Sequence, residues 1–327
     1  MSKLATVYGG SGFLGRYVTQ RLAHDGWRVR VAVRRPNEAL FVQTYGAVGQ
    51  VEPVQCNIRD DASVRAVMQS ADAVINCVGI LEERGKNSFE AIHHHGAERV
   101  ARIAREEGVS RLVHVSAIGA DAAAESRYAR TKGLGEAAVR DQFASAVILR
   151  PSVMFGPEDR FFNRFARMAT HTPVLGLVGA QTRMQPVYVD DVAAAAMKAV
   201  DGHARDDLYE LGGPAVHSLR ELVRIMLRVI ERRRLVMNLP FWVGGFIGGA
   251  LDILQAVSFG LFTNTILTRD QVRLLRHDNV VSEGVPALAD LGIEPVAVEA
   301  VLPDYLWVFR PSGQFAAIRE SLRRLRA

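Results

Sequence analysis

Two side chains four positions apart could carry acid–base chemistry in this chain. Tyr128 and Lys132 form a Tyr-x-x-x-Lys pattern, and this spacing places both side chains on one face of a helix. A lysine ammonium beside a phenol lowers the pKa of the phenol, which can then act as a general acid or base. The pair therefore predicts a site for proton transfer.

A third group, one that would polarise a substrate carbonyl, is less evident. Ser116 follows the apolar run Arg111–Val115, only twelve residues before Tyr128. At this position we expect its hydroxyl to face a cofactor. Hydride transfer without a hydroxyl beside the substrate carbonyl loses an important electrostatic contribution. Tyr128, Lys132 and Ser116 are therefore interpreted as vestigial catalytic candidates that contact a bound cofactor.

A glycine-rich segment near the start of the chain predicts nucleotide binding. Its glycines follow the apolar run Leu4–Tyr8 and open a predicted helix, Phe13–Asp25. Glycines let the backbone approach a pyrophosphate closely, and the helix N-terminus offers free N–H groups to it. The cofactor contacts predicted here are Gly9, Gly12, Phe13, Leu14 and Gly15.

Three arginines surround the position that selects between NAD and NADP. The second predicted strand ends in Arg34 and Arg35, where an NAD-binding protein usually has Asp or Glu for the ribose hydroxyls. Arg16, in the first turn of the preceding helix, could reach the same place. Because a guanidinium pairs well with a 2′-phosphate, the sequence predicts NADPH as the cofactor, with NAD less favoured.

Further cofactor contacts are predicted at the carboxyl ends of other strands. Asn57 stands where a carboxylate often meets the adenine amino group, and its amide is a weaker acceptor. Val78 and Gly79 follow the fourth strand and leave room for the adenosine ribose. Ile58 and Pro151 complete the set of predicted contacts.

Short apolar runs alternate with amphipathic stretches and position these residues. The predicted strands are Leu4–Tyr8, Arg28–Val33, Val51–Gln55, Ala73–Cys77, Arg111–Val115 and Ala146–Leu149. Strands that alternate with helices indicate an α/β fold, a Rossmann-type doubly wound parallel sheet with helices on both faces. A nucleotide would then bind at the carboxyl ends of the strands.

Helices and loops dominate the chain after the sixth predicted strand. We expect a nucleotide-binding domain at 1–155 and a smaller, interwoven, mostly helical C-terminal lobe at 156–327. Within this lobe, 186–200 should return to the main sheet, starting with a short strand at 186–189.

The amino-acid composition limits the cellular compartments and the binding partners that we expect for this protein. The net charge of +5 and pI near 9.5 suit a phosphate-bearing ligand, an acidic partner or an anionic membrane surface. Basic residues are not interleaved with aromatic ones, so we expect no nucleic-acid partner. Two cysteines indicate a reducing compartment and no disulfide framework. A core strand begins almost at the first residue, so we expect no signal or transit peptide.

A run of three histidines, His93-His94-His95, is interpreted as a polar helix start. Successive helical side chains point about 100° apart, so at most two of the three could share one metal ion. We therefore expect no metal site.

An apolar segment at 239–262 is unusual for a dehydrogenase. It carries one formal charge, Asp252, and follows three arginines at 232–234. Its length would allow a membrane span, but Pro240, four glycines and Asp252 near mid-depth disfavour one. Two interpretations stay open: a re-entrant or interfacial amphipathic segment with the arginines over anionic headgroups, and a buried helical pair within the C-terminal lobe.

Several longer motifs carry a resemblance to a known family. They are the run 149–163 (LRPSVMFGPEDRFFN), the run 126–132 (SRYARTK), the run 185–192 (QPVYVDDV), the run 267–272 (LTRDQV) and the run 288–293 (LADLGI). Together they resemble the nucleotide-binding accessory subunit of respiratory complex I, an atypical extended short-chain dehydrogenase, over nearly the whole chain. Asn57 departs from the pattern of this family, which usually has an acid there.

The resemblance implies a non-catalytic protein that holds NADPH tightly. It implies a place at the junction of the peripheral and membrane arms of NADH:ubiquinone oxidoreductase, near the quinone site. Carried over by motif, the cofactor would be held by Gly9, Gly12, Gly15, Arg16 and Arg34, with Tyr128 and Lys132 on its nicotinamide half. The implied partners are other complex I subunits, together with the membrane surface through 239–262. Without a targeting segment, the bacterial form is expected, peripheral on the cytoplasmic face of the inner membrane.

Two other functions remain compatible with the sequence. Tyr128 and Lys132 also fit a free-standing NADP(H)-dependent short-chain reductase or epimerase acting on a nucleotide sugar or an isoprenoid-like substrate. A redox-sensing regulator that binds NADP(H) would have no need of the apolar segment. An enzyme should exchange its cofactor and stay in solution without detergent.

Overall fold

A seven-stranded parallel sheet forms the centre of the computed structural model, which describes residues 2–257, 264, 267–311 and 313. The first six strands are β1 Leu4–Tyr8, β2 Arg28–Val33, β3 Val51–Gln55, β4 Ala73–Asn76, β5 Arg111–Val115 and β6 Val147–Pro151. The later strands are β7 Met154–Phe155, β8 Val174–Val178, β9 Arg183–Met184, β10 Val187–Tyr188, β11 Leu208–Leu211, β12 His217–Ser218 and β13 Leu235–Leu239.

The helices of the described residues alternate with strands in the first half and dominate the second. They are α1 Phe13–His24, α2 Asp61–Met68, α3 His95–Glu106, α4 Arg127–Gln142, α5 Phe162–His171, α6 Val189–Val200, α7 Leu219–Val229, α8 Phe241–Val257, α9 Arg269–Leu274 and α10 Val298–Leu306. A π-helical turn, Glu90–His94, precedes α3. Short 3-10 turns lie at Pro36–Glu38, Leu40–Tyr45, Leu288–Leu291 and Trp307–Phe309.

The strand order across the main sheet is β11-β6-β5-β4-β1-β2-β3. Every neighbouring pair in it is parallel. Helices α1 and α6 pack together over one hydrophobic cluster, while α2, α3 and α4 cover a second. The Rossmann-type α/β fold predicted from the alternation of elements is therefore confirmed. The six predicted strands occur with nearly the predicted bounds, because each contains at least two β-branched residues, which favour strands.

The strand predicted at 186–189 does not enter the main sheet. Instead, β10 pairs with β7 in a separate two-stranded sheet, and β11 takes the place beside β6. Since β11 covers β6 from Ile148 to Pro151, that edge has no room for a second partner. The rest of 186–200 does return to the nucleotide-binding half, as helix α6 packed against α1.

A third hydrophobic cluster forms the core of the C-terminal part, between α5, α7, α10 and β8. Strand β13 pairs with β8, and α8 packs against α9. The domain boundary at 155/156 stays a prediction. Residues 314–327 of the expected lobe lie outside the described part of the chain.

Helix α8 covers the first part of the apolar segment and is exposed on one side. Its exposed apolar stripe consists of Trp242, Phe246, Ile253 and Val257, which are 61–76% exposed. The interpretation of 239–262 as a buried helical pair is therefore wrong for this helix. Residues 258–262 of the segment lie outside the described residues. Among the helices that the structure describes, none is both long and apolar enough to cross a membrane.

Candidate nucleotide-binding site

The glycine loop lies at the carboxyl end of β1, beside β4, where the strand order reverses. Gly9 has a φ of 75°, in the left-handed region that favours glycine. Gly15 admits no side chain, because a Cβ there would lie 2.2 Å from the Gly9 carbonyl oxygen. Helix α1 begins at Phe13 with no side-chain cap and no acid in its first turn. The first backbone N–H groups of the helix, including those of Phe13 and Leu14, can therefore face an anion.

An open cavity lies at the carboxyl ends of β2 and β3. Its volume is about 430 Å³, and it is lined by Arg34, Gln55, Cys56, Asn57, Arg59 and Ser63. None of these residues is acidic, so a phosphate here would lie beside two arginines, although Arg59 Nη1 also donates to the Lys86 carbonyl over 3.1 Å. Arg59 was not among the predicted cofactor contacts. Arg59 reaches the cavity through a turn in which its N–H donates to Asn57 Oδ1 over 3.2 Å. The pattern Asn-x-Arg directly after a strand is the sequence feature that could have predicted this contact.

The other two predicted arginines are engaged with carboxylates. Arg35 forms an exposed ion pair of 2.9 Å with Glu38. Arg16 Nη1 donates to Glu158 Oε1 over 2.9 Å, and its Nη2 donates to the Ser11 carbonyl over 3.3 Å. Arg16 is therefore fixed beside the glycine loop, whereas Arg35 is turned toward Glu38.

Residues predicted around the adenosine differ in what they can offer. Asn57 is exposed in the cavity, but Ile58 is buried in the core beside α3, where a Cβ on Gly96 would lie 3.5 Å from it. Only the backbone of Ile58 is left to contact a nucleotide. Val78 lies against the glycine loop, because a Cβ on Gly9 would be 3.2 Å from Val78 Cγ2.

The Tyr128 and Lys132 pair has an unexpected electrostatic arrangement. Lys132 is buried, and its ammonium donates to the Val115 carbonyl oxygen over 3.1 Å. Burial lowers the pKa of Lys132 to about 8, with Glu136 and Cys77 acting in the opposite direction. Burial raises the pKa of the Tyr128 phenol to about 12. The prediction that Lys132 lowers the pKa of Tyr128 is wrong here, because the ammonium is bound to the backbone of β5.

Ser116, at the carboxyl end of β5, carries an orphaned hydroxyl. The residue is 4% exposed, and its Oγ has no hydrogen-bond partner among the described residues. Gly79 lies nearby, since a Cβ there would be 3.5 Å from Lys132 Nζ. Pro151 ends β6, and its carbonyl accepts the Ile118 N–H over 3.1 Å. Because buried hydroxyls are almost always hydrogen-bonded, this group fits a polar ligand laid over the ends of β4 and β5.

His93 forms a wall of the site, a role that its place in the run of three histidines did not indicate. Its Nε2 accepts the Ile80 N–H over 3.0 Å, and its Nδ1 lies 3.2 Å from Thr131 Oγ1. Its ring stacks on Phe89 and meets the Tyr128 ring edge-on, with centroids 5.2 Å apart. Burial, together with the Lys132 and His114 charges, lowers the pKa of His93 to about 2. The interpretation of His93 as part of a polar helix start is therefore wrong.

The other two histidines stay near the surface with Glu90. Their ligand atoms and those of Glu90 lie within 4.8 Å of one another. However, the His94 and His95 rings are stacked, with centroids 4.5 Å apart. A metal ion lies close to the plane of each imidazole that binds it, and two stacked rings share no such plane. The arrangement does not suit a shared metal ion.

Comparisons with known proteins agree with this geometry. The sequence profile of the NAD dependent epimerase/dehydratase family matches residues 5–212, which hold the sheet, the glycine loop and the Tyr-x-x-x-Lys pair. NADH dehydrogenase (ubiquinone) 1 alpha subcomplex subunit 9, mitochondrial, from Arabidopsis thaliana is 37% identical over 316 residues, 95% of this chain and 79% of that protein. The chain belongs to the epimerase/dehydratase family, as a relative of complex I alpha subcomplex subunit 9.

Two other proteins are similar to this chain at lower coverage or lower identity. Ceramide reductase from Caulobacter vibrioides is 32% identical over 191 residues, 58% of this chain and 59% of that protein. The crystal structure of dTDP-glucose 4,6-dehydratase from Bacillus anthracis in complex with NAD matches with a TM-score of 0.70 and 13% identity. The match covers 93% of this chain and 96% of the dehydratase. At this identity the likeness to the dehydratase shows the shared fold alone.

Proposed function

We propose that this protein is a non-catalytic accessory subunit of membrane-bound respiratory complex I that binds NADPH. The observation that carries the proposal is the similarity to an alpha subcomplex subunit 9, which extends over 95% of the chain. The partners are then other subunits of the complex, at the junction of its peripheral and membrane arms near the quinone site. We further propose that it is the bacterial form, bound peripherally on the cytoplasmic face of the inner membrane.

The choice of NADPH is supported by the cavity beside β2. Arg34 and Arg59 line it, and no carboxylate does. An NAD-binding site in this fold usually presents an acidic side chain to the ribose hydroxyls. A carboxylate at that place would repel the 2′-phosphate of NADPH. The glycine loop and Ser116 would hold the pyrophosphate and nicotinamide halves of the same molecule.

The absence of turnover is supported by the state of Tyr128. Burial raises the pKa of the phenol and no neighbouring charge among the described residues lowers it, so Tyr128 is a poor general base for taking a proton from a substrate. The Lys132 ammonium that would assist it is bound to the Val115 carbonyl. NADPH in this protein would then act as a ligand that stabilises the folded chain by mass action.

Attachment to the membrane or to a membrane subunit is supported by the exposed apolar stripe of α8. Trp242 and Phe246 are both 76% exposed, an unusual state for aromatic side chains without a partner. Two of the three arginines before β13 form hydrogen bonds within the protein. Arg232 and Arg234 donate to the Phe309 and Ala169 carbonyls, which leaves the exposed Arg233 as the residue we expect over anionic headgroups.

A native gel of mildly solubilised membranes tests the proposal. We expect the chain to co-migrate with a large complex that stains for NADH dehydrogenase activity. The double variant Trp242→Ser and Phe246→Ser should detach from it, whereas Val48→Ser, at a fully exposed position of the nucleotide-binding half, should not. Migration of the wild type as a small soluble species would contradict the proposal.

A reductase is the second candidate function, and the orphaned Ser116 hydroxyl favours it. A bound reduced nicotinamide would supply hydride, while Ser116 would donate a hydrogen bond to a substrate carbonyl and the protonated Tyr128 would supply the proton. The similarity to a ceramide reductase points to a lipid-like carbonyl compound as substrate. NADPH oxidation by the purified protein with a long-chain ketone, lost in Tyr128→Phe, would favour this function over the first.

A further inference from the structure

The motif Leu267–Val272 contacts three helices at once. Thr268 caps its own helix, α9, by accepting the Gln271 N–H over 3.1 Å. The N–H of Arg269 donates to Asp252 Oδ2 of α8 over 3.0 Å. The next residue, Asp270, is directed at the N-terminus of α4, more than 140 residues earlier in the sequence.

Asp270 holds the start of the helix that carries Tyr128 and Lys132. Its Oδ2 accepts the Ser126 hydroxyl over 2.8 Å and the Tyr128 N–H over 3.0 Å. Its Oδ1 accepts the Arg127 N–H over 2.7 Å. A carboxylate at a helix N-terminus binds unpaired amides and complements the helix dipole. The position of the Tyr128 backbone therefore depends on a residue of the C-terminal part.

The other side of α9 is fixed to α8 by close packing. A Cβ on Gly248 would lie 2.9 Å from the Arg269 nitrogen, and a Cβ on Gly249 would lie 2.8 Å from Arg269 Nε. Asp252 adds a second tie by accepting a hydrogen bond from Asn264 Nδ2 over 2.8 Å. The two helices are thus joined by close contacts at two glycines and by the hydrogen bond from the Arg269 N–H to Asp252.

A second connection runs parallel to the first. Gln255 Nε2 of α8 donates to the Glu83 carbonyl over 3.3 Å. The Glu83 carboxylate in turn accepts hydrogen bonds from Arg127 and from the Phe89 N–H. Phe89 lies against the Tyr128 ring, with centroids 5.8 Å apart. Both connections lead from α8 to the Tyr128 end of the site.

We propose that Asp270 is a positioning residue that couples the nicotinamide half of the nucleotide site to helix α8. Ordering of Tyr128 and Lys132 by NADPH stabilises α9 and α8 through Asp270. By thermodynamic reciprocity, a partner that holds α8 tightens nucleotide binding by the same factor. The inference rests on the NADPH binding proposed above.

Hydrogen–deuterium exchange of the intact protein with and without NADPH tests this coupling. In the wild type, NADPH should slow amide exchange in the glycine loop and also in α8 and α9, by about fivefold or more. In Asp270→Ala, the slowing should persist in the glycine loop and fall by at least half in α8 and α9, where only the connection through Glu83 remains. Helix α4 keeps its own cap in this variant, because Ser126 Oγ accepts the Ala129 N–H.

Two further variants control the experiment. Asp278→Ala removes a carboxylate that also accepts a backbone N–H, that of Arg183, and should behave like the wild type. Asp270→Asn keeps one acceptor oxygen and should restore part of the slowing in α8 and α9, so it serves if Asp270→Ala does not fold.

The failures of the two proposals are distinguishable. Slowing that is confined to the glycine loop in the wild type would overturn the coupling and leave NADPH binding intact. Slowing in α8 and α9 that is as large in both Asp270 variants as in the wild type would remove the role of Asp270. No slowing anywhere in the wild type would refute NADPH binding, and the coupling with it.

Discussion

Arg16 and Glu158 form an ion pair of 2.9 Å beside the glycine loop. Arg16 lies in the first turn of α1, while Glu158 follows β7 in the run that carries the family resemblance. Glu158 also accepts the Tyr17 hydroxyl over 3.0 Å. The pair places one negative charge next to the arginine that was predicted to bind a 2′-phosphate.

Glu158→Gln should therefore tighten NADPH binding more than NADH binding. The substitution releases Arg16 and removes a carboxylate that repels the 2′-phosphate. Since a partly exposed pair is worth up to about 1 kcal/mol, the gain in NADPH affinity should be at most about fivefold. Titration calorimetry with both nucleotides measures it. Weaker NADPH binding, or an equal change for both nucleotides, would show that Glu158 and the phosphate do not compete.

Arg34→Asp should weaken NADPH binding and affect NADH much less. Arg34 lines the cavity, and loss of a charge-assisted hydrogen bond costs about 1.5–3 kcal/mol, roughly 10- to 100-fold in Kd. Arg35→Asp is the matched control, because Arg35 is exposed and paired with Glu38. The two Kd values can be compared by nicotinamide fluorescence. Equal losses for both nucleotides would remove the 2′-phosphate assignment of Arg34.

Tyr128→Phe should leave quinone reduction by the assembled complex nearly unchanged. The phenol is protonated at neutral pH, and the proposed role of the bound nucleotide needs no proton transfer. Gly15→Val is the contrasting variant, since its side chain would collide with the Gly9 carbonyl and abolish nucleotide binding. Activity and assembly are measured together on native gels. A complex that contains Tyr128→Phe, assembles and yet has lost activity would count against a non-catalytic subunit.

Glu136→Ala should destabilise the fold strongly. Glu136 is 2% exposed and accepts two hydrogen bonds from Arg150, at 2.9 and 2.7 Å. Removing one partner of a buried pair costs about 3 kcal/mol or more of the free energy of unfolding. Glu106→Ala, which breaks partly exposed pairs with Arg65 and Arg102, should cost below about 1 kcal/mol. Denaturant unfolding of both variants gives the comparison, and similar losses would contradict it.

Lys132 should make the stability of the protein depend on pH in the alkaline range. Its pKa falls from an ordinary value of 10.5 to about 8 on burial. Above pH 8 the unfolded chain therefore binds more protons than the folded one, and stability from this group rises with pH. Below pH 10, where Tyr128 does not yet contribute, the wild type should gain about 1 kcal/mol per pH unit relative to Lys132→Met. Unfolding curves with parallel pH dependence would show that Lys132 is not desolvated.

Much of the fold was predictable because its signals are local. The strand from Leu4 to Tyr8 is an apolar run, the loop after it is marked by Gly9, Gly12 and Gly15, and helix α1 follows from apolar spacing. Each signal lies within about twenty residues, where backbone preference and side-chain periodicity act directly. The glycine loop and the predicted cofactor residues Arg34 and Asn57 were accordingly found at one edge of the sheet.

Only the tertiary structure decided which groups meet across the chain. The sequence placed Lys132 beside Tyr128, but the packing of α4 on β5 directs its ammonium to Val115. Pattern alone likewise gave no reason to expect Asp270 at the start of α4, or Glu158 at Arg16. A hydrogen bond between distant segments depends on how the helices are docked, and that is set by the packing of the whole core, which no local spacing encodes. The sequence by itself determined which residue types were present and which local elements they form. The packing of those elements determined the hydrogen-bond partners and the protonation states of the side chains.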